Sequence, residues 1–314
     1  MINSIIKLFF PNGIHLGEGD LSDFSFNLQA DTLFSALCIE ALNLEGEEGI
    51  SKLVKLAIEG KILISDALPF IKDTLYLPKP IITIPRDGDE EKDEALNKKN
   101  PRKIFKKLKY IPKEKFSDFV KGKISPLEAE EITENFKLGK GEIHTKVKIK
   151  ETTDATPFHL GIFKFCENAG LYFILNAEDN EHKDFFMKIL KSLSFSGLGG
   201  KRSSGFGKFT FEETLAEINT NETYDSYVSL SISLPKKCEL DSALKEASYS
   251  IIKRSGFVSS ETYAESLVRK KDLFAFKAGS VFKNKFEGDI YDVSNNGAHK
   301  VYRYAKPIFM GIKK

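Results

Sequence analysis

The sequence predicts an α+β protein of two units in tandem, the first interrupted by a long insertion. Three observations carry this. Two amphipathic helical stripes, at 33–41 and 183–193, each sit between runs that read as strands. A strictly alternating segment at 228–234 opens a second set of strand-like runs. Between about 80 and 157 the periodicity dissolves into Pro, Lys and Glu.

The elements follow in order. Ile5-Ile6-Lys7-Leu8-Phe9-Phe10 is strand-like and runs into a turn rich in glycine, at Gly13, Gly17 and Gly19. Leu33, Leu37 and Ala41 recur at helical spacing, and Asp31 stands where an N-cap would accept an orphan backbone N–H. Short strands are expected over 62–64 and 74–77. Phe186, Ile189, Leu190 and Leu193 form one apolar stripe of a second helix. That helix lies between strand-like runs at 171–175 and 208–212. The order is β-α-β-β-α-β, the ferredoxin-like arrangement. In the second unit Val228, Leu230, Ile232 and Leu234 alternate with Ser229, Ser231 and Ser233, the pattern of a half-buried strand. Leu244, Ala247 and Ile251 mark a helix, and runs at 273–276 and 301–304 complete a less regular β-α-β pattern. The expected boundaries are 1–215 for the first ferredoxin-like domain, with its insertion at about 80–157, and 222–314 for the second. With 314 residues, each could bury its own core.

Composition narrows the class. Hydrophobic residues make up 41% and charged residues 29%, an ordinary folded balance. Cys38, Cys166 and Cys238 form no CxxC pair, which argues against a zinc knuckle or disulfide framework and fits a reducing cytoplasm. No apolar run approaches the ~20 residues of a membrane span, and no leader opens the chain, so a cytoplasmic protein is expected. A net charge of +2 conceals segregation. Residues 98–115 hold nine basic side chains against Glu114 alone, and 185–211 hold five with no acid. The first run is equally consistent with a solvated surface.

The most informative segment is FSGLGGKRSSGFGKF at 195–209. Gly197, Gly199, Gly200, Gly205 and Gly207 surround Lys201, Arg202, Ser203 and Ser204. Glycine permits φ > 0 and has no Cβ, so successive amides can converge on a phosphate while the cations and hydroxyls add contacts. A P-loop would need lysine where Phe206 stands, and a GxGxxG fingerprint from Gly197 would need glycine at Arg202. A plain glycine connector would explain the glycines but not the cations. In His144-Thr145-Lys146-Val147-Lys148-Ile149-Lys150 every second residue is basic. A strand would place them on one face, with Phe158 and His159 as nearby stacking surfaces. The competing reading is an ordinary amphipathic strand. His299, Tyr302, Arg303 and Tyr304 form a basic-aromatic cluster suited equally to RNA and to packing.

A glycine-rich basic loop between the second helix and the last strand resembles that of the RAMP proteins of CRISPR systems. FPNGIHLGEG at 10–19, ADTLFSAL at 30–37, ISDALPFI and YLPKPI within 64–81, HTKVKIKETTDATPFHLGIF at 144–163, FKAGSVF at 276–282 and HKVYRYAKPIFMG at 299–311 resemble one branch. That branch is the type III-A (Csm) subunit that caps the crRNA 5′ end. At Ala305 this sequence has alanine where the family commonly has glycine.

The resemblance implies two ferredoxin-like folds and a β-hairpin thumb within 80–157 that wedges against RNA. It implies contacts with the crRNA 5′ tag, the large polymerase-like subunit and the adjacent backbone RAMP subunit. It also implies no catalysis, no cofactor and no metal. His15, at the end of the first strand, and His144 are the candidates of the alternative reading, a RAMP endoribonuclease that processes precursor crRNA by acid–base chemistry. Asp31 could ligate a metal, but preceding an apolar helix it reads as the N-cap. A third class is a protein scaffold whose basic arm binds an acidic partner.

Overall fold

The computed structural model describes residues 1–17, 19–83, 100–150, 153–215, 224–260 and 262–313; the side chains of 148–150 and 153–154 lie outside that description. The first unit begins with β1 (Ile2–Phe9), α1 (Ala30–Ile58), β2 (Ile62–Ile64), β3 (Leu68–Ile71) and β4 (Thr74–Pro78). Next come α2 (Pro101–Lys107), β5 (Tyr110–Pro112), α3 (Phe116–Val120), α4 (Pro126–Asn135), β6 (Gly139–Lys150) and β7 (Thr153–Phe165). It closes with β8 (Ala169–Ala177), α5 (Asn180–Ser196) and β9 (Thr210–Leu215). The main sheet is antiparallel in the order β5-β4-β3-β8-β1-β9, with β2 also on β8. β1 is central, with Ile6 opposite Phe173 and Glu213.

The sheet's alternation sorts the core. Ile6, Leu8, Leu171, Phe173 and Leu175 meet Leu33, Phe34 and Leu37 of α1 and Phe186, Ile189, Leu190 and Leu193 of α5. These are the helical stripes read from sequence, and each side chain is almost fully enclosed. α1 runs well past Ala41, with a break at Gly46, where φ is 65°. Its first-turn amide is capped by Asp66: Ala30 N donates to Asp66 Oδ1 at 2.8 Å. Asp31 is therefore not the N-cap. The capping carboxylate comes from 36 residues downstream, a pairing that only the fold brings about.

The insertion differs from its expected form. Residues 100–136 are a packed helical subdomain: Ile104, Leu108, Ile111, Phe116, Phe119, Val120, Ile124 and Ile132 share a core with Leu68, Leu77 and Tyr172. No helix there exceeds ten residues, too short for a periodic stripe to declare itself. Two start signals were nonetheless present. Asn100 and Ser125 accept N-terminal amides at 3.0 and 3.2 Å, each followed by proline at N1. The hairpin is β6–β7, so it spans 139–165 and reaches beyond the expected limit at 157.

The second unit comprises β10 (Ser226–Ser229), α6 (Leu240–Leu244), β11 (Ile251–Arg254), β12 (Leu273–Phe276), β13 (Val281–Phe282), β14 (Asp289–Asp292), β15 (Tyr302–Ala305) and β16 (Phe309–Ile312). Its strands form sheets β13-β10-β16, β11-β12 and β14-β15. Among the described residues it has one five-residue helix and does not repeat the first unit's strand-helix order. The expected helix through Ala247 and Ile251 stops early because Glu246 takes φ 54°, and Ile251 begins a strand.

The alternating segment is buried on both sides: Ser229, Ser231 and Ser233 are as enclosed as Val228 and Ile232. The serines satisfy this burial by hydrogen bonding. Ser231 Oγ donates to Lys306 O at 3.1 Å and accepts from Ile308 N at 2.9 Å. Nor do the units keep separate cores. Ile232, Ala275, Ile290 and Tyr304 join the helix-side core, while Val228, Leu230 and Ile308 join the core on the sheet's other face. Among the described residues no helix is long and apolar enough to cross a membrane.

Candidate nucleic-acid interface

The glycine loop is held in a fixed shape by the segment that follows β1. Gly207 N donates to Gly13 O at 2.9 Å, Gly200 N donates to His15 O at 2.9 Å, and Leu198 N donates to Gly207 O at 2.8 Å. The segment is itself anchored to the hairpin, because Ile14 and Phe163 exchange backbone hydrogen bonds of 2.9 Å in both directions. Gly207 has φ 74°, and a Cβ there would collide with the carbonyl of Leu198. At Gly200 φ is not positive; the constraint there is the His15 ring, 2.6 Å from where a Cβ would lie.

At the loop's crown Lys201 takes a left-handed conformation, φ 57°, ahead of a 3-10 turn over Arg202–Ser204 that ends at Gly205, φ 86°. Ser203 and Ser204 are exposed, and Lys201 and Arg202 have no carboxylate partner among the described residues. The crown and hairpin interlock through cation–ring contacts. Lys201 Nζ lies 5.3 Å from the Phe158 ring centre and Lys146 Nζ 4.9 Å from that of Phe206. The His144 ring meets Phe206 edge-on at 5.9 Å.

Most of the sites read from sequence thus come together. Gly197, Gly199, Gly200, Lys201, Arg202, Ser203, Ser204, Gly205, Gly207, His15, His144, Lys146 and Phe158 form one surface, with His159 exposed on the hairpin and bonded through Nδ1 to Thr145 Oγ1 at 3.1 Å. The side chains of Lys148 and Lys150 lie outside the described residues. The strand alternation has an unexpected sense. His144 and Lys146 of β6 meet Phe206 of the loop, whereas Ile143 and Val147 point to solvent, 61% and 54% exposed.

The histidines are engaged. The His15 ring is buried, and its Nδ1 lies 2.7 Å from Gly161 O. His144 Nε2 lies 3.4 Å from Glu142, whose carboxyl is held below the usual range chiefly by a hydrogen bond from Lys140.

Arg303 is not on this surface. It is buried, donating from Nη1 to Asp31 Oδ2 at 2.7 Å and from Nη2 to Ser255 O at 3.1 Å. Arg254 takes Asp31 from the other side with Nε and Nη2, both at 2.9 Å. With Lys270 and Arg202 these groups line a cleft of about 260 Å³ between α1, the glycine loop and the second unit. Among the described residues the cleft holds four cations against the single carboxylate of Asp31. Burial lowers the Lys270 ammonium from its ordinary range, and Arg303 adds repulsion. The sequence reading missed Arg254 and Lys270. No local pattern marks them, because both reach the cleft only through the packing of the second unit onto α1.

Comparison with known proteins bears on this arrangement. The RAMP superfamily model matches residues 14–210, and the CRISPR Csm4 C-terminal domain model matches residues 222–312. The CRISPR system Cms protein Csm4 of Mycobacterium tuberculosis (strain ATCC 25618 / H37Rv) is 35% identical over 314 residues, covering 99% of this chain and 98% of that protein. This chain belongs to the Csm4 family of RAMP proteins. The Csm4 of Streptococcus thermophilus is 31% identical, and the match covers 100% of both chains. Among solved structures, the Csm3-Csm4 subcomplex of the type III-A CRISPR-Cas interference complex has a chain that matches with TM-score 0.65 at 20% identity, over 100% of both chains. A Csm1-Csm4 cassette in complex with AMPPNP matches with TM-score 0.58 at 20% identity, over 99% of this chain and 98% of that one. At that identity the structural likeness speaks for the fold, and the sequence relatives speak for the family. The Csm4 match spans both units, so the glycine loop and the Asp31 cluster both lie within the family's shared length.

Proposed function

We propose that this chain is a non-catalytic RNA-holding subunit of a type III-A CRISPR complex, gripping the 5′ repeat-derived tag of crRNA. The observation that carries the reading is the convergence of the glycine loop, the His15 segment and the β6–β7 hairpin into one surface. Lys146, Lys201 and Arg202 lie there beside Phe158 and Phe206, and no carboxylate is paired with the two loop cations among the described residues. Backbone amides, cations and rings together suit a single-stranded anionic polymer. The relatives' assemblies suggest the partners. A Csm4 chain occurs with Csm3 in one solved structure and with Csm1 in another, so we assign this chain an adjacent backbone RAMP subunit and a large polymerase-like subunit.

Supporting a holding role is the engagement of both candidate bases. His15 is enclosed and bonded through Nδ1, and His144 is flanked by Glu142 and Phe206. No cofactor is part of the reading. The test is incubation of the purified chain with end-labelled repeat RNA. Retention of intact RNA is the expected result. A 2′,3′-cyclic phosphate product that disappears in His15→Ala or His144→Ala would replace this reading with the endoribonuclease.

A further inference from the structure

A second, larger cleft opens on the other side of the α1 N-terminus from the Asp31 cluster. Its volume is about 560 Å³, within the range of small-molecule sites. Its walls come from three parts of the chain: the segment before α1 (Phe26, Asn27, Gln29), the helical insertion (residues 106–110, Thr133, Phe136) and the second unit (Ile232, Ser250, Lys277). One wall is aromatic. The rings of Tyr110 and Phe136 are nearly parallel, 5.5 Å apart at 15°, and Phe26 adjoins both.

The charge is lopsided. Lys79, Lys106, Lys107, Lys109 and Lys277 line the cleft, against Asp66 as the only carboxylate among the described residues. Lys79 is half-buried, and its Nζ donates to the carbonyl of Phe105 at 2.6 Å. Desolvation holds that ammonium below its usual range, so an anion placed beside it gains more than it would at an open surface. Asp66 is 7% exposed. Its Oδ1 accepts the amides of Ala30 and Ile232 at 2.8 and 2.9 Å, and its Oδ2 has no partner among the described residues. The cleft therefore offers a flat aromatic wall, a buried carboxyl and a cationic rim.

We propose that this cleft is a nucleotide pocket, in which one nucleotide of the bound RNA places its base along the Tyr110–Phe136 wall with a hydrogen-bonding edge toward Asp66 Oδ2 and its phosphates on Lys79, Lys106, Lys109 and Lys277. The inference rests on the RNA-holding reading and extends it to a face that the glycine loop does not touch. Continuity favours RNA over an acidic peptide. Strand β11 passes Ser250 and Ile252 along this cleft and then Arg254 and Ser255 along the one beside the glycine loop. Gln29 and Thr32 of the α1 N-terminal region likewise line one cleft each. The two clefts are thus neighbours along β11 and the first turn of α1, within reach of one bound strand. A peptide would satisfy the rim but has no general use for stacked rings beside a buried carboxyl.

The experiment separates the pocket from the loop. Thr133→Trp fills the cleft and removes no charge, so single-stranded repeat RNA should bind about tenfold more weakly, in line with the loss of one stacked base, at an unchanged salt slope. Replacing Lys106 and Lys109 together with alanine should lower the slope of log K against log salt by roughly 1.4, at ~0.7 per contact. 5-Iodouridine carried at successive RNA positions should cross-link to Tyr110 from one position. If both variants bind as wild type does while Lys201→Ala/Arg202→Ala loses RNA, the pocket assignment is overturned and the holding role stands. If the loop variant also binds normally, the holding role itself fails. Protection of Tyr110 from modification by a free nucleoside monophosphate or a polyglutamate peptide, but not by RNA, also overturns the assignment.

Discussion

Arg303 donates to Asp31 at 2.7 Å and so joins residues 272 positions apart across the two units. Arg254 completes the arrangement, and the carboxylate between them is 2% exposed. The three groups form a buried network in which one anion balances two guanidinium groups, with Lys270 nearby.

Removing the anion should be worse than removing either cation. Asp31→Ala leaves Arg254, Arg303 and Lys270 facing one another in a poorly solvated cleft, at an expected cost of about 3–5 kcal/mol. Arg254→Ala should cost less, because Arg303 still pairs with Asp31. Urea unfolding of the two variants checks the order. A reversed order would show that the cluster is not governed by its central carboxylate.

Lys201→Ala/Arg202→Ala should reduce the salt slope of RNA binding by roughly 1.4, two contacts at ~0.7 each on single strands. Melting temperature should not change, since the loop's shape is fixed by backbone hydrogen bonds to Gly13 and His15. Filter binding across a salt series is the measurement.

Gly207→Val and Gly205→Val should separate shape from contact. At Gly207 a side chain meets the Leu198 carbonyl, so the variant should lose thermal stability along with RNA binding. At Gly205 a Cβ meets open space, and the cost is confined to the strain of φ 86°. That variant should melt nearly as wild type does, with RNA binding alone weakened. Paired melting and binding curves decide.

Burial raises the Asp66 carboxyl to about 7, and the amides of Ala30 and Ile232 only partly oppose this. The unfolded chain ionises this group near 3.9. Between roughly pH 4 and 7 the folded state therefore binds more protons, and stability from this group is full below that window and falls as pH rises through it. Asp66→Asn keeps an oxygen for both amides but cannot ionise. Relative to wild type it should gain stability as pH moves from 4 to 7.5. Parallel slopes for the two proteins in a pH series of melting temperatures would contradict the shift.

Residues 100–136 should be protected from hydrogen exchange in the free protein. Phe119, Ile111 and Ile124 are buried in a core shared with Tyr172 and Leu68, so opening this region exposes apolar surface. Phe119→Ala should cost about 3–5 kcal/mol. Rapid exchange throughout 100–136 in the wild-type chain would count against this packing.

The sequence alone determined the elements whose signal is local. The stripes of α1 and α5, the strands beside them and the glycine loop all follow from short-range sequence signals, and each formed as read; of the His144–Lys150 segment the strand formed, with Ile143 and Val147 exposed. The tertiary structure alone decided which partners the buried charges found. Asp66 caps α1 from 36 residues away, Asp31 binds arginines more than 220 residues away, and Arg303 turns inward. It also decided that the serines at 229, 231 and 233 are enclosed and that short helices in 100–136 share a core with the sheet. The reason is physical. Periodicity reports which face of an element is apolar, but a buried polar group is stable only beside its partner, and that partner is set by how distant segments pack.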